Sequence, residues 1–443
     1  MKSQLFCDKI LNKGSVFVEF LSITKQNTKT AKNIVLAVFY WLGISLMLGL
    51  VCGGVGALFY HGIALATSIR TNNNWLLYFL PLGGVLTILI YRLLKVNGQD
   101  TNTCFNEIKG KKALSFFLMP AVFVSSLLTH IFGGSAGKEG AALQIGGSIA
   151  KGVSKALKFN DTATKILITA GLGGLFAAVF TTPFTATVFA LTVVCVGGVC
   201  LSAVFPTLIT SWAAFFVAKL LSVPPEKYHI TFQKIDALVV IKLLFLVVFC
   251  ALVGVFFVKA LRLTKQTSKK LIKNEYFRIV FGACLIIALS FVFGTDYLGA
   301  GLNIIHDVFA NGFANKEAFI LKILFTCITI GVGFKGGEIV PVFFVGATLG
   351  GAVAGELAIS VSLGAALGMI AVFCAATKTP LASLILGIEL FGIFGTPYYL
   401  VAVIIAFLIS GKESLYSVQE YLIFNKNKNK RRHMDRTLKD SNC

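Results

Sequence analysis

The sequence predicts an all-α protein that crosses a membrane several times, and three observations support this prediction. Of its 443 residues, 56% are hydrophobic and 13% are charged, whereas soluble proteins carry about 25% charged residues. The mean hydropathy is +0.83. Apolar runs long enough to cross a bilayer, roughly 20 residues, recur along the chain, for example at 34–60, 76–94 and 237–258. We therefore expect no soluble domain.

Much of the formal net charge of +21 lies in three segments: before residue 33, between residues 259 and 278, and from residue 426 onward. Lys and Arg close to spans mark the cytoplasmic side of a membrane. We therefore expect both termini, and a loop over 265–273, in the cytoplasm, and an integral multi-pass protein of a bacterial inner membrane. This distribution predicts a lipid bilayer, and not nucleic acid, as a partner.

The cysteines and histidines predict neither a disulfide framework nor a metal site. The ten cysteines are scattered without a CxxC pair, and most lie in apolar segments, where cysteine behaves as a small buried hydrophobe. The N-terminus lacks the charged-then-apolar pattern of a cleaved signal peptide. No cofactor is predicted. The five histidines, which show no spacing of metal ligands, are His61, His130, His229, His306 and His433.

The chain reads as two halves with the same layout. The first half has two spans up to residue 94, a polar segment at 97–103, a span over 114–132 and a glycine-rich break at 133–146. Further glycine-rich helices follow, and a Pro-Pro loop precedes the second half. We divide the chain into a basic N-terminal segment (1–33), a first membrane repeat (34–221), an inter-repeat loop (222–236), a second membrane repeat (237–420) and a basic tail (421–443).

An internal repeat supports this division. Duplicated halves with broken helices at equivalent places are typical of transporters whose site lies at the repeat interface. If each half holds an odd number of spans, the two copies are inverted. Glycines match at an offset of 200, as Gly133 with Gly333, Gly137 with Gly337 and Gly146 with Gly346, and an FxAxxxTP pattern matches at an offset of 197, from Phe176 to Pro183 and from Phe373 to Pro380.

The two glycine-rich breaks predict an anion site. Bare backbone is tolerated at membrane depth only inside protein or along a water-filled cavity. Helices should begin near Glu139 and near Ile339. A helix start offers unpaired N–H groups and a partial positive charge, which bind anions. Two such starts, one from each half, could face one anion site.

Three carboxylates lie in the apolar part of the chain, where ionisable residues are usually functional. Glu139 could occupy the anion site when ionised and leave it when protonated, as a gate and proton carrier; alternatively it pairs with Lys138 or with its helix start. Glu338 holds the same place in the second half, and its alternative role is a helix cap. Glu389 is predicted to be a structural partner of backbone groups.

A soluble-enzyme alternative rests on Ser135. Residues 133–137 fit the GxSxG pattern of a nucleophile elbow. That motif needs a preceding strand and a later His and acid, but an apolar span precedes it here. We therefore predict that the chain is not an enzyme, and keep a membrane-embedded hydrolase only as a third hypothesis.

At these motifs the chain resembles the CLC superfamily of anion channels and proton-coupled anion antiporters. Residues 137–141, GKEGA, with the following QIG, resemble the family's GREGP…QxG motif, and residues 336–341, GGEIVP, resemble GGxFxP. The resemblance places Glu139 on the external gating glutamate and Tyr416 on the tyrosine that closes the inner side of the anion site. It also implies inverted repeats and a homodimer with one pathway per subunit.

The departures from the family pattern resemble its bacterial fluoride/proton antiporter branch. The family's GSGIP segment is not recognisable, and by register Thr103 takes the place of its anion-binding serine. Val193 stands where chloride/proton exchangers carry an internal glutamate. The GGEIVP segment places Glu338 on the acidic residue of the fluoride branch, although Val340 replaces its Thr.

Our first hypothesis is therefore a proton-coupled halide antiporter, for fluoride ahead of chloride, with Glu139 and Glu338 in gating and proton transfer. The second is a passive chloride channel of the same superfamily. The motif glycines are Gly133, Gly137, Gly146, Gly336, Gly337 and Gly346. The residues predicted to hold the anion are Thr103, Lys138, Gly140, Ile339, Val340 and Tyr416.

Overall fold

The computed structural model describes residues 28–111, 114–233 and 236–421, and within these ranges the chain is almost entirely helical. The first half contains α1 (Thr28–Asn72), a 3-10 turn (Asn74–Phe79), α2 (Leu80–Leu93), α3 (Thr101–Ile108), α4 (Leu118–Ile131), α5 (Glu139–Ala156), α6 (Asp161–Phe180), α7 (Pro183–Thr192) and α8 (Leu201–Leu220). The second half contains α9 (Ala237–Leu271), α10 (Glu275–Phe293), α11 (Leu302–Asn311), α12 (Ala318–Val332), α13 (Ile339–Glu356), α14 (Val361–Thr377), α15 (Pro380–Phe391), a 3-10 turn (Ile393–Gly395) and α16 (Thr396–Ile409).

In the same ranges, sheet is limited to two-residue strands, β1 (Cys195–Val196) and β2 (Glu420–Tyr421), which pair in parallel. Most of the basic segment 1–33 and all but the first residue of the tail 421–443 lie outside the described residues, as do Cys7, His433 and Cys443. Within the described part of the chain, five of the eight cysteines are buried.

Among the residues that the structure describes, seven helical segments are long and apolar enough to cross a membrane, which confirms the predicted all-α membrane fold. They are α1 from Leu36, the 3-10 turn with α2, α6, α8, α9, α10 and α13. Other apolar helices are shorter; α7 has 10 residues, and at 1.5 Å per residue it covers about 15 Å, half of a bilayer core. A helix of this length does not cross a bilayer by itself.

The loop predicted over 265–273 is wrong, because α9 continues as a helix to Leu271; the cytoplasmic placement of these residues stays a prediction. Lys, Arg, Gln and Leu are good helix formers, so the basic residues extend the helix instead of ending it. Lys265 and Lys269 are four residues apart and lie on one face.

The helices of the two halves correspond at the predicted offsets. Helices α5 and α13 each have 18 residues, and their bounds differ by 200 at both ends. Helices α6 and α14 both end on a residue in the left-handed conformation, Thr181 (φ 58°) and Lys378 (φ 61°). A new helix then begins at Pro183 and at Pro380, where the missing proline N–H costs nothing.

Within each half, two helices approach until their backbones touch. A Cβ on Gly146 of α5 would lie 2.1 Å from the carbonyl oxygen of Gly171 in α6. The equivalent pair in the second half is Gly346 of α13 and Gly368 of α14, at 2.5 Å. Small residues allow this close packing of membrane helices. In each half, this contact fixes the position of α5 or α13 relative to the helix packed against it.

Candidate functional site

The two glycine-rich breaks meet at the centre of the protein. The Gly137 N–H donates to the Gly337 carbonyl at 2.7 Å, and the Gly337 N–H donates to the Gly137 carbonyl at 2.6 Å, in an antiparallel bridge. A Cβ on Gly337 would lie 2.4 Å from the Gly140 nitrogen. The bridge therefore depends on glycine, and it holds the starts of α5 and α13 against each other.

Glu139 is the first residue of α5 and is fully buried. Its Oε2 accepts a hydrogen bond from the Val340 N–H at 3.3 Å, at the start of α13 in the other half. Its Oε1 is buried without a hydrogen-bond partner. A Cβ on Gly137 would lie 2.4 Å from Oε2, so this glycine provides the space for the carboxylate. The Glu139 carboxyl group thus occupies the N-terminus of α13, where the helix dipole favours anions.

Glu338 is the N-cap residue of α13, but its side chain makes no capping hydrogen bond. The alternative interpretation of Glu338 as a helix cap is therefore wrong. Its side chain lines a cavity of about 640 Å³, which also contacts Gln144, Thr101 and Tyr416. We call this space the Tyr416 cavity. The two glutamates differ: Glu139 is enclosed between the helix starts, and Glu338 faces an open space.

The Tyr416 cavity carries an excess of positive side chains. Asp100, Glu275 and Glu338 are its acidic lining residues. Its basic lining residues are Arg262, Lys265, Lys269, Arg278 and Lys335. A cavity lined by an excess of positive charge raises the local concentration of anions.

Tyr416, which the resemblance assigns to the inner side of the anion site, lines this cavity. Its hydroxyl is buried and has no hydrogen-bond partner, and its ring meets Phe105 edge-on at 5.1 Å. Gln419 fixes the segment that carries it, because the Gln419 amide nitrogen donates to the carbonyls of Val193 (2.7 Å) and Thr377 (2.8 Å). The tyrosine hydroxyl is thus free to bind an anion.

Thr103 does not line the Tyr416 cavity, whereas Thr101 does. The Thr103 hydroxyl belongs to a capping box with Asp100 at the start of α3. The Thr101 hydroxyl accepts from Gln144 Nε2 at 3.1 Å and faces the Gly140 carbonyl oxygen at 3.5 Å. The residues of α3 that approach the centre are therefore offset by two positions from the prediction.

Lys138 is buried, but its ammonium does not contact the Glu139 carboxylate. It pairs with Glu226 of the loop after α8 at 3.9 Å and lies 4.0 Å above the Tyr60 ring. The alternative in which Glu139 pairs with Lys138 is therefore wrong for this structure. Sequence reasoning missed Glu226, because an ion pair between positions 138 and 226 leaves no local pattern.

Glu389 and Ser135, the two other residues that the sequence analysis discussed, make hydrogen bonds within the fold. Glu389 accepts hydrogen bonds from the N–H groups of Phe184 and Thr185 and from the Thr185 hydroxyl, which confirms its predicted role. The Ser135 hydroxyl contacts that of Thr326 at 3.0 Å. Within the described residues, this hydroxyl bonds to neither a histidine nor a carboxylate.

Comparison with known proteins gives one family. The family model described as voltage gated chloride channel matches residues 83–411. The chain is 30% identical over 394 residues to a chloride/fluoride channel protein of Pseudomonas syringae pv. tomato, covering 86% of each chain. It is 26% identical over 397 residues to an H(+)/Cl(-) exchange transporter of Vibrio cholerae, covering 80% of this chain and 82% of that one.

Comparison with solved structures also finds halide/proton antiporters. The chain matches the crystal structure of a CLC-type fluoride/proton antiporter with a TM-score of 0.84 and 29% identity, over 90% of this chain and 100% of that one. It matches a slow cyanobacterial Cl-/H+ antiporter with a TM-score of 0.74 and 20% identity, over 85% of this chain and 96% of that one. The second match concerns the fold alone.

Proposed function

The chain belongs to the voltage gated chloride channel family, and on this basis we propose that it carries halide anions across a membrane in exchange for protons, with Glu139 as the gate. The observation that supports this proposal most directly is the contact between Glu139 Oε2 and the Val340 N–H. The carboxylate lies at the N–H groups that an anion would use. An anion and ionised Glu139 therefore compete for one position.

Proton coupling follows from that competition. When Glu139 is ionised, the carboxylate fills the anion position; when it takes up a proton, its charge is gone and an anion can replace it. Each proton that Glu139 carries is thereby linked to anion movement. This carboxylate is fully buried, so it is not in contact with bulk water.

Glu338 is our second proton-transfer residue. Val193 is buried and apolar and cannot relay protons. Glu338 instead faces the Tyr416 cavity and lies beside the Gly140 backbone, where a Cβ would meet its Oε2 at 3.1 Å. A proton from the cavity reaches Glu338 first and the central site next.

The anion path leads through the Tyr416 cavity to the helix starts. We propose Thr101 in place of Thr103, together with Tyr416 and the N–H groups near Gly140, Ile339 and Val340, as the anion-binding groups. The buried ion pair of Lys138 with Glu226 supports a role for Lys138 as a charge near the path and not as a direct ligand.

We propose fluoride as the anion, ahead of chloride. The Pseudomonas relative is named a chloride/fluoride channel protein, and the fluoride/proton antiporter structure matches with a TM-score of 0.84. The glutamate of the GGEIVP segment supports the same assignment.

The remaining assignments rest on charge and resemblance. The basic residues of the Tyr416 cavity favour its placement on the cytoplasmic side, with both termini there, in a bacterial inner membrane. The antiparallel bridge between equivalent glycines favours inversion of repeats 34–221 and 237–420. We propose a homodimer with one pathway per subunit.

A flux assay in liposomes tests the function. Purified protein is reconstituted, and fluoride and chloride are measured in parallel with ion-selective electrodes. We expect a pH gradient alone to drive fluoride against its own gradient. Fluoride movement only down its own gradient, at a rate independent of the pH gradient, would instead establish the channel hypothesis. The apolar side chain of Val193 favours that hypothesis, because it cannot relay protons. Absence of halide flux would refute both.

A further inference from the structure

The loop that joins the two halves carries a charged residue next to the gate. Glu226 lies in this loop, between α8 and α9, and its Oε1 is 3.9 Å from the Lys138 ammonium. The two side chains are only 11% and 4% exposed. Neither lines the Tyr416 cavity, so the pair lies outside that cavity.

Glu226 is held by both halves of the protein. Its N–H donates to the Thr181 hydroxyl at the end of α6, at 3.1 Å. Its Oε2 accepts from the Tyr228 hydroxyl at 3.3 Å and lies 3.7 Å from His306 Nε2 in α11. Tyr228 is itself anchored, because its ring stacks on Phe309 at 4.5 Å. The carboxylate is therefore fixed in position and not free to follow Lys138.

Two carboxylates, those of Glu139 and Glu226, lie near Lys138. It directly precedes Glu139 in the chain, yet its ammonium lies against Glu226 and the Tyr60 ring. Glu139 meanwhile contacts the Val340 N–H. A buried cation needs a counter-charge. If Glu226 were neutral, the neighbouring carboxylate for Lys138 would be Glu139.

We propose that Glu226 is a positioning residue of the gate, which holds the Lys138 ammonium at the loop and so leaves the ionised Glu139 carboxylate on the Val340 N–H. This inference rests on the proposed gating function of Glu139. The charged and titratable groups that face Glu226 are Lys138, Tyr228, His306, Tyr60 and Glu139. Without this hold, Lys138 attracts Glu139 away from the helix start and the path opens while Glu139 is still ionised.

The test compares fluoride flux across a range of pH for Glu226→Gln, Lys138→Met and the double variant, each reconstituted in liposomes. In Glu226→Gln, we expect downhill flux at alkaline pH to rise about ten-fold, within the usual range of coupling between two sites, and the pH profile to flatten. In the double variant the profile should match that of Lys138→Met, because Glu226 acts through Lys138.

The matched control is Glu356→Gln, which neutralises an exposed carboxylate paired with Lys316 and should keep the wild-type profile. A wild-type profile in Glu226→Gln, or a Glu226→Gln effect that persists without Lys138, would overturn the inference. If Glu226→Gln does not fold, Glu226→Asp keeps the charge but lengthens the contact and should give a smaller shift in the same direction. Absence of flux in the wild type would count against the proposed function instead.

Discussion

Replacing Glu139 with Gln removes the charge at the gate and keeps its shape. The carbonyl of the substituted amide can still accept from the Val340 N–H, which lies 3.3 Å from Oε2 in the native side chain. A hydrogen bond to a charged group contributes about 1.5–3 kcal/mol and a neutral one about 0.5–1.5 kcal/mol. Because 3.3 Å is long, we take a difference of about 1.4 kcal/mol, which is ten-fold in an equilibrium constant.

Two results are therefore expected from Glu139→Gln. The amide competes less strongly for the anion position, so the apparent affinity for fluoride should rise about ten-fold. The amide also does not take up and release a proton near neutral pH. A pH gradient should therefore no longer drive fluoride uphill, while downhill fluoride flux continues without pH dependence.

The assay is fluoride uptake into liposomes with and without an imposed pH gradient, at several fluoride concentrations. Glu356→Gln makes the same chemical change at an exposed carboxylate and should retain coupled transport. Uphill fluoride accumulation by Glu139→Gln would refute the reasoning, because the proton would then travel by a route that does not include this carboxylate.

Three further predictions concern the same site. Gly137→Ala places a Cβ 2.4 Å from Glu139 Oε2 and should abolish pH-driven fluoride accumulation in the liposome assay. Thr101→Val should weaken the fluoride affinity measured by flux. Thr103→Val should leave that affinity unchanged and lower the free energy of unfolding by about 1 kcal/mol, because the Asp100 N–H loses its bond to the Thr103 hydroxyl. Glu338→Gln should slow coupled flux, yet leave the unfolding temperature unchanged, because its side chain makes no capping bond; a lower unfolding temperature would contradict this assignment.

The sequence predicts the centre of the molecule well. The first residues of α5 and α13, Glu139 and Ile339, follow from glycine-rich breaks in apolar runs. The duplication predicts that equivalent breaks meet, and Gly137 and Gly337 do. These features depend on local conformation and on a repeat, and both are visible in a single chain.

Other features depend on side-chain direction and on distant partners. Thr103 differs from Thr101 by two positions, which is about 200° around a helix, so a register error of two residues selects the opposite face. Glu226, the ion-pair partner of Lys138, lies 88 positions further along the chain, so no local sequence pattern connects the two residues. The helical residues 265–271 show that a basic composition does not by itself end a helix.

The glycine contacts within each half restrict how the protein can move during a transport cycle. Gly146 against Gly171, and Gly346 against Gly368, leave no room for even a methyl group. Neither helix pair can slide without breaking its own packing. Each pair therefore moves as one rigid body, and a covalent cross-link between its two helices would leave turnover intact. In the proposed cycle, the path therefore opens by a rotation of the Glu139 carboxylate, without a rearrangement inside either helix pair.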